Sequence, residues 1–192
     1  MAIDVDARHS AHGHVVHAAI TLAESIRSSP KHEPRHFLPL AVFIAFSFEA
    51  YMNDVGARVC EFWDQVERNR WREKVEILHS LAGKTTDWGR DPLQFVHQIF
   101  ALRDSLAHGK PRNGRFGPFD STAQMRDHMR SEATNPSHFK HLNLTWLETS
   151  MKRFHAGMKY FAALYNLPEN DYLLIAKTQY EGWVEEGEDL PI

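Results

Sequence analysis

The sequence predicts an all-α, antiparallel helical bundle of about five main helices. Three observations lead there. Apolar residues recur at three- and four-residue spacing along most of the chain, strict two-residue alternation is almost absent, and proline- or glycine-bearing stretches separate the periodic runs. The 192 residues are 43% hydrophobic and include five Trp and twelve Phe, enough to bury a sizeable core.

Val15, Val16, Ala19, Ile20, Ala23 and Ile26 form one stripe, which predicts a first helix from about His12 to Arg27. Pro30 and Pro34 end it as breakers. A second, long helix is expected from about Pro39 to Glu67. It is apolar on nearly all sides through Phe48, the mark of a central position. The third runs from about Trp71 to Leu81, with Gly83 placed as a C-cap glycine. Asp91-Pro92 reads as N-cap and first residue of a fourth helix, which stops at Gly109. A fifth runs from about Asn143 to Tyr165. The segment 171–184 fits either a helical turn or a strand lying on the bundle.

The expected organisation is one bundle over 1–168, with an inserted basic loop region at about 110–141 that holds a short polar helix near 122–133. An acidic extension follows over 169–192, where seven acids face one base. The rest of the chain carries 21 bases against 18 acids. A net charge of −3 excludes a generic nucleic-acid-coating protein. The lone cysteine, Cys60, rules out a disulfide framework and a multi-Cys zinc site. No basic n-region or apolar h-region opens the chain, so no signal peptide is expected. The longest apolar stretch, Phe37 to Met52, is interrupted by Pro39, Ser47 and Glu49, so no membrane span is expected either. These features fit a cytoplasmic protein.

The chemistry-bearing string is Leu102-Arg103-Asp104-Ser105-Leu106-Ala107-His108-Gly109, at the end of the fourth helix. Arg supplies a permanent forked cation suited to phosphate. His supplies a group that exchanges a proton near neutrality. Five residues separate the two, about 140° around an ideal helix. They converge if the last turn tightens or if both flank a seam. A helix C-terminus also favours cations electrostatically, so the spacing alone leaves both readings open.

The run ALRDSLAHGK resembles the signature of HEPN-domain proteins: Arg, a polar residue, a few more positions, then His at the end of a bundle helix. FIAFSFEAYMND (43–54) resembles that family's early core helix, with Glu49, Ala50 and Asn53 in its Glu-Ala-x-x-Asn pattern. The likeness covers about 37–109 and the following long helix. It implies a homodimer whose paired signature helices make one cleft, and metal-independent endoribonuclease activity in a toxin, phage-defence or RNA-processing role. It also implies roles: Arg103 as the phosphate-stabilising cation, His108 as general base or acid, Asp104 as a positioning group. Other members of the family are silent nucleotide- or protein-binding modules, often partnered by a nucleotidyltransferase, and an antitoxin partner is equally compatible.

Glu49 and Asn53 lie one turn apart, and Arg103 is the expected partner of Glu49, which would orient it. Lys110, Arg112 and Arg115 come without an intervening acid and suit the backbone of single-stranded RNA or tRNA. Phe116 and Phe119 among them are expected to tuck onto the bundle. Two Glu-x-x-His strings, Glu33/His36 and Glu76/His79, with Glu49 and Glu148, sketch a di-iron set that fails on placement, since Pro34 sits at a helix mouth. His12, His14 and His17 are expected to be exposed. No metal and no cofactor is expected.

Overall fold

The computed structural model describes residues 4–109, 115–134 and 139–181, and they form an all-α helical bundle joined by one small ribbon. Its helices are α1 (Ala11–Ser28), α2 (Pro34–Val59), α3 (Trp63–Val66), α4 (Trp71–Leu81), α5 (Leu93–His108), α6 (Thr122–Thr134) and α7 (Leu144–Ala163). The ribbon pairs β1 (Asp4–His9) with β2 (Ala176–Glu181). Five of the helices are long and make the bundle, as the periodicity predicts.

The hub is α2. It starts five residues before its expected start, because Pro34 opens the helix instead of breaking it. Proline suits that first position, where its missing N–H has no partner to lose. Glu33 and His36 close a reciprocal capping box there, with the Glu33 N–H donating to His36 Nδ1 at 3.3 Å. From that cap α2 sends Phe37, Leu40, Ile44, Phe48, Tyr51 and Val55 inward, all fully buried. Phe48 sits at the centre, its ring edge-on to Phe95 of α5 and to Phe154 and Phe161 of α7. By length and mean hydropathy (1.2 over its best 18 residues) α2 matches a membrane span, yet half of that window is buried by the bundle.

The far end of α2 departs from expectation. The helix ends at Val59, eight residues short of Glu67, and α3 follows as a separate turn. The physical cause is Trp63. Its ring is buried against Gly56, where an added Cβ would lie 2.2 Å from ring carbon Cε2, so the chain must fold back to seat it. Gly56→Ala is therefore expected to overpack this corner and cost about 1–3 kcal/mol. A lowered urea midpoint with an unchanged slope is the readout.

Strand β1 was not legible: a short, mostly polar hexapeptide becomes a strand only through its distant partner. The two readings of 171–184 both hold in part. Asp171–Leu173 is a 3-10 turn and Ala176–Glu181 is β2, antiparallel to β1 in the register Asp4↔Glu181 to His9↔Ala176. The expected acidic extension thus begins as folded structure, and residues 182–192 lie outside the described set.

A buried polar clasp fixes this end. Asp171, fully buried, accepts from Tyr51 Oη at 3.1 Å and from Arg58 Nη1 and Nη2 at 3.1 and 2.7 Å. Arg58 also pairs with Asp54, one turn back on α2, and Asp54 accepts from Ser10 Oγ at 2.9 Å. Burial alone would raise the Asp54 carboxyl, but contacts from His12, Ser10 and Arg58 outweigh it and hold its pKa well below the usual carboxylate range. His12, expected to be exposed, is 2% exposed, with its ring tilted on Tyr51 and Nδ1 3.6 Å from Asp54.

Candidate active site

Helix α5 carries the signature string to its last residue. Gly109 then takes φ 52°, a left-handed conformation that costs other residues more, and the chain leaves the helix axis directly after His108. His108 is exposed at that end. Arg103 is 23% exposed, and its guanidinium lies 5.1 Å over the ring of Phe100, one turn back.

The other wall is the start of α4. Trp71, its first residue, stacks on Phe100 at 4.4 Å with the rings 8° from parallel. Trp71, Phe100 and the Arg103 guanidinium therefore make one aromatic-cation layer that ties α4 to α5. Between these walls opens a pocket of about 540 Å³, lined by Glu49, Asn69, Arg70, Trp71, Arg72, Arg103, Asp104 and His108. Arg103 and His108, 140° apart on an ideal helix, share this pocket because it lies at the helix end and the long Arg side chain reaches forward.

The charges within it are ordered. Glu49 accepts from Lys74 Nζ at 3.3 Å, and its second oxygen lies 3.6 Å from Arg103 Nη2. The Lys74 side chain is 1% exposed, so the Glu49 carboxylate is what compensates its burial. Arg103 Nε stands 3.2 Å from Asp104 Oδ1. Neither Arg103 contact is a directed hydrogen bond, and Nε has no hydrogen-bond partner among the described residues. Arg153 is the contrast: it donates to both oxygens of Asp91, at 2.8 and 2.5 Å, and to Gln98 at 2.9 Å. Arg103 is held by charge and by an aromatic face, not by directed hydrogen bonds among the described residues.

Four sequence-predicted residues thus meet in one pocket: Arg103, His108, Asp104 and Glu49, the last two flanking the arginine. Asn53 does not line it; its Oδ1 is enclosed without a hydrogen-bond partner among the described residues. Arg115 is exposed and outside the lining, and Lys110 and Arg112 lie outside the described residues. Phe116 and Phe119 pack on His128 of α6, at 4.9 and 5.3 Å, and not on the bundle. The residues missed by sequence reasoning are Arg70, Trp71, Arg72 and Lys74. Their signal was present: Arg68-Asn-Arg-Trp-Arg72 interleaves cations with an aromatic, the same criterion that singled out 110–119.

Other candidates resolve as structure. Asp91, expected to cap α5, is instead clamped by Arg153. Among the di-iron candidates, Glu33 and His36 form the α2 cap and Glu148 pairs with Arg27 at 2.7 Å. Both ring nitrogens of His79 are engaged, Nδ1 with the Val75 carbonyl and Nε2 with Tyr160 Oη, each at 2.7 Å. Burial pushes its pKa down. His97 is exposed beside Trp71, and His155 holds Tyr172 Oη at 2.8 Å. No group of three or more His, Cys, Asp or Glu able to hold a metal ion occurs among the described residues.

A comparison with protein-family models, curated proteins and solved structures returns no match.

Proposed function

We propose that this chain is a HEPN-like, metal-independent endoribonuclease that uses Arg103 and His108. One observation carries the reading: an arginine held by ion pairs and an aromatic face, with no directed hydrogen bond among the described residues, shares an open pocket with an exposed histidine. In the proposed reaction the imidazole of His108 takes the proton of a 2′-hydroxyl. The 2′-oxygen attacks the adjacent phosphorus, the P–O5′ bond breaks, and the 5′-oxygen leaves with a proton. The products are a 2′,3′-cyclic phosphate and a 5′-hydroxyl. Arg103 stabilises the charge that gathers on the phosphoryl oxygens, with Glu49 and Asp104 setting its position.

The α4 entrance supports the substrate class. Arg70 and Arg72 stand beside the first turn of α4, whose unpaired N–H groups favour an anion. Trp71 lines the pocket next to them, and cations beside an aromatic are the combination used for single-stranded RNA or tRNA. The family likeness extends to a homodimer with two Arg103–His108 sets on one cleft, one imidazole removing the proton and the other supplying it. On α2, Phe43 and Phe46 are exposed one and two turns before Glu49, an apolar margin that suits a second copy. A cytoplasmic toxin, defence or RNA-processing role, with an antitoxin or nucleotidyltransferase partner, follows from the same likeness.

The alternative is a silent nucleotide- or protein-binding module. It draws on the two carboxylates beside Arg103, which weaken its hold on a phosphate. Labelled single-stranded RNA and tRNA in excess EDTA, incubated with wild type and with His108→Ala, separate the two. Cleavage by wild type alone supports the nuclease; binding without cleavage by either supports the module. Arg70→Ala is expected to weaken RNA binding across sequences. It should lower the slope of log K against log salt by about 0.7, the share of one single-strand phosphate contact.

A further inference from the structure

The opposite side of α5 holds a second open groove, about 550 Å³, between α5 and the start of α7. Its floor is apolar and partly aromatic: Phe95, Ile99, Leu102 and Trp146. Its polar lining is Gln98, His141, Asn143, Thr145, Thr149, Ser150 and Arg153. Size and composition match a small-ligand site, with an apolar body and a few polar groups that orient the occupant.

Two amides of the lining have their oxygen ends engaged. Asn143 caps α7 by accepting the Trp146 N–H on Oδ1 at 3.0 Å. Gln98 accepts from Arg153 Nη1 on Oε1 at 2.9 Å. A backbone N–H and a guanidinium only donate, so these bonds fix which end of each amide is oxygen. Each amide is left with its NH₂ to offer a ligand. No carboxylate lines the groove, and the Arg153 charge is balanced by Asp91. Two amide donors over an apolar floor, with hydroxyls and an imidazole that can donate or accept beside them, suit a planar ring with two acceptors on one edge.

We propose that this groove binds a nucleobase with a two-acceptor edge, uracil through O2 and O4 or guanine through O6 and N7, the ring lying on the Ile99–Leu102–Trp146 floor and its two acceptors meeting the Gln98 and Asn143 amides. Cytosine and adenine place an exocyclic amine where those amides need an acceptor, leaving donor against donor. The site is separate from the Arg103 pocket and stands whether or not that pocket cleaves RNA.

Uridine, guanosine, cytidine and adenosine are uncleavable probes that test it by NMR titration and tryptophan fluorescence. The informative variant is Asn143→Asp, which keeps an N-cap of equal quality but exchanges the donor for an acceptor. Arg103→Ala controls for the other pocket. Uridine and guanosine are expected to bind at least about tenfold more tightly than cytidine and adenosine, and Asn143→Asp to lose about tenfold with its unfolding midpoint unchanged. A U-rich oligonucleotide that binds more tightly than uridine identifies an RNA strand as the source; equal affinity identifies the free nucleoside. Equal affinity for all four bases, loss in Arg103→Ala but not in Asn143→Asp, or no saturation by about 10 mM overturns the proposal.

Discussion

Replacing His108 with alanine is expected to lower RNA cleavage by about 10²–10⁴-fold, the usual loss when one acid–base group is removed. The size of the effect follows from the absence of a substitute. The other pocket side chains are arginines, carboxylates, an asparagine and a tryptophan, and none exchanges protons near neutrality as imidazole does. The same substitution should leave stability within about 0.5 kcal/mol, because His108 is exposed at the last turn of α5. Initial rates on a labelled oligonucleotide, beside a thermal melt, check both halves. A cleavage defect that came with a lowered melt would point to a folding role instead.

The second large effect runs the other way. Asp171→Ala should cost about 3–5 kcal/mol, because it removes three charge-assisted hydrogen bonds to a fully buried carboxylate, one from Tyr51 and two from Arg58. For a chain of this size that is a fall of roughly 10 °C in Tm. Cleavage per folded molecule should be unchanged, since Asp171 takes no part in the Arg103 pocket. The same clasp sets an acid limit. The Asp54 pKa is depressed on folding, so its contribution is present above the unfolded aspartate value of about 3.9 and is lost as pH falls below it toward the folded value. Urea midpoints should therefore be flat in this contribution near neutrality and drop below about pH 4, less steeply in Asp54→Asn. An equal slope in the two proteins would separate the clasp from acid unfolding.

Much of this architecture was legible because bundle helices declare themselves locally. The α4 limits follow from Trp71, Val75 and Leu78 and from the stop at Gly83, and all are short-range facts. The Arg103–Glu49 proximity was also legible, since two charged groups on buried helix faces need each other. What failed depended on distance along the chain. The end of α2 is set by Trp63 folding back on Gly56, which periodicity cannot express. Strand β1 exists through a partner more than 160 residues away. His12 is buried because Tyr51 and Asp54 receive it, not because its neighbours are apolar. Lys74 is buried because Glu49, from another helix, faces it. Arg70 and Arg72 were visible as a basic-aromatic cluster, but only the fold brings that cluster beside Arg103.

The claim on which the functional reading stands is that the 2′-hydroxyl of the substrate is the nucleophile and that no metal takes part. The most direct measurement uses an RNA oligonucleotide cut at a mapped linkage, and the same oligonucleotide with a single 2′-deoxy nucleotide on the 5′ side of that linkage, both in excess EDTA. The account predicts cleavage of the all-ribose strand to a 2′,3′-cyclic phosphate, with none at the deoxy linkage. Cleavage at the deoxy linkage, or cleavage that the chelator abolishes, would contradict it.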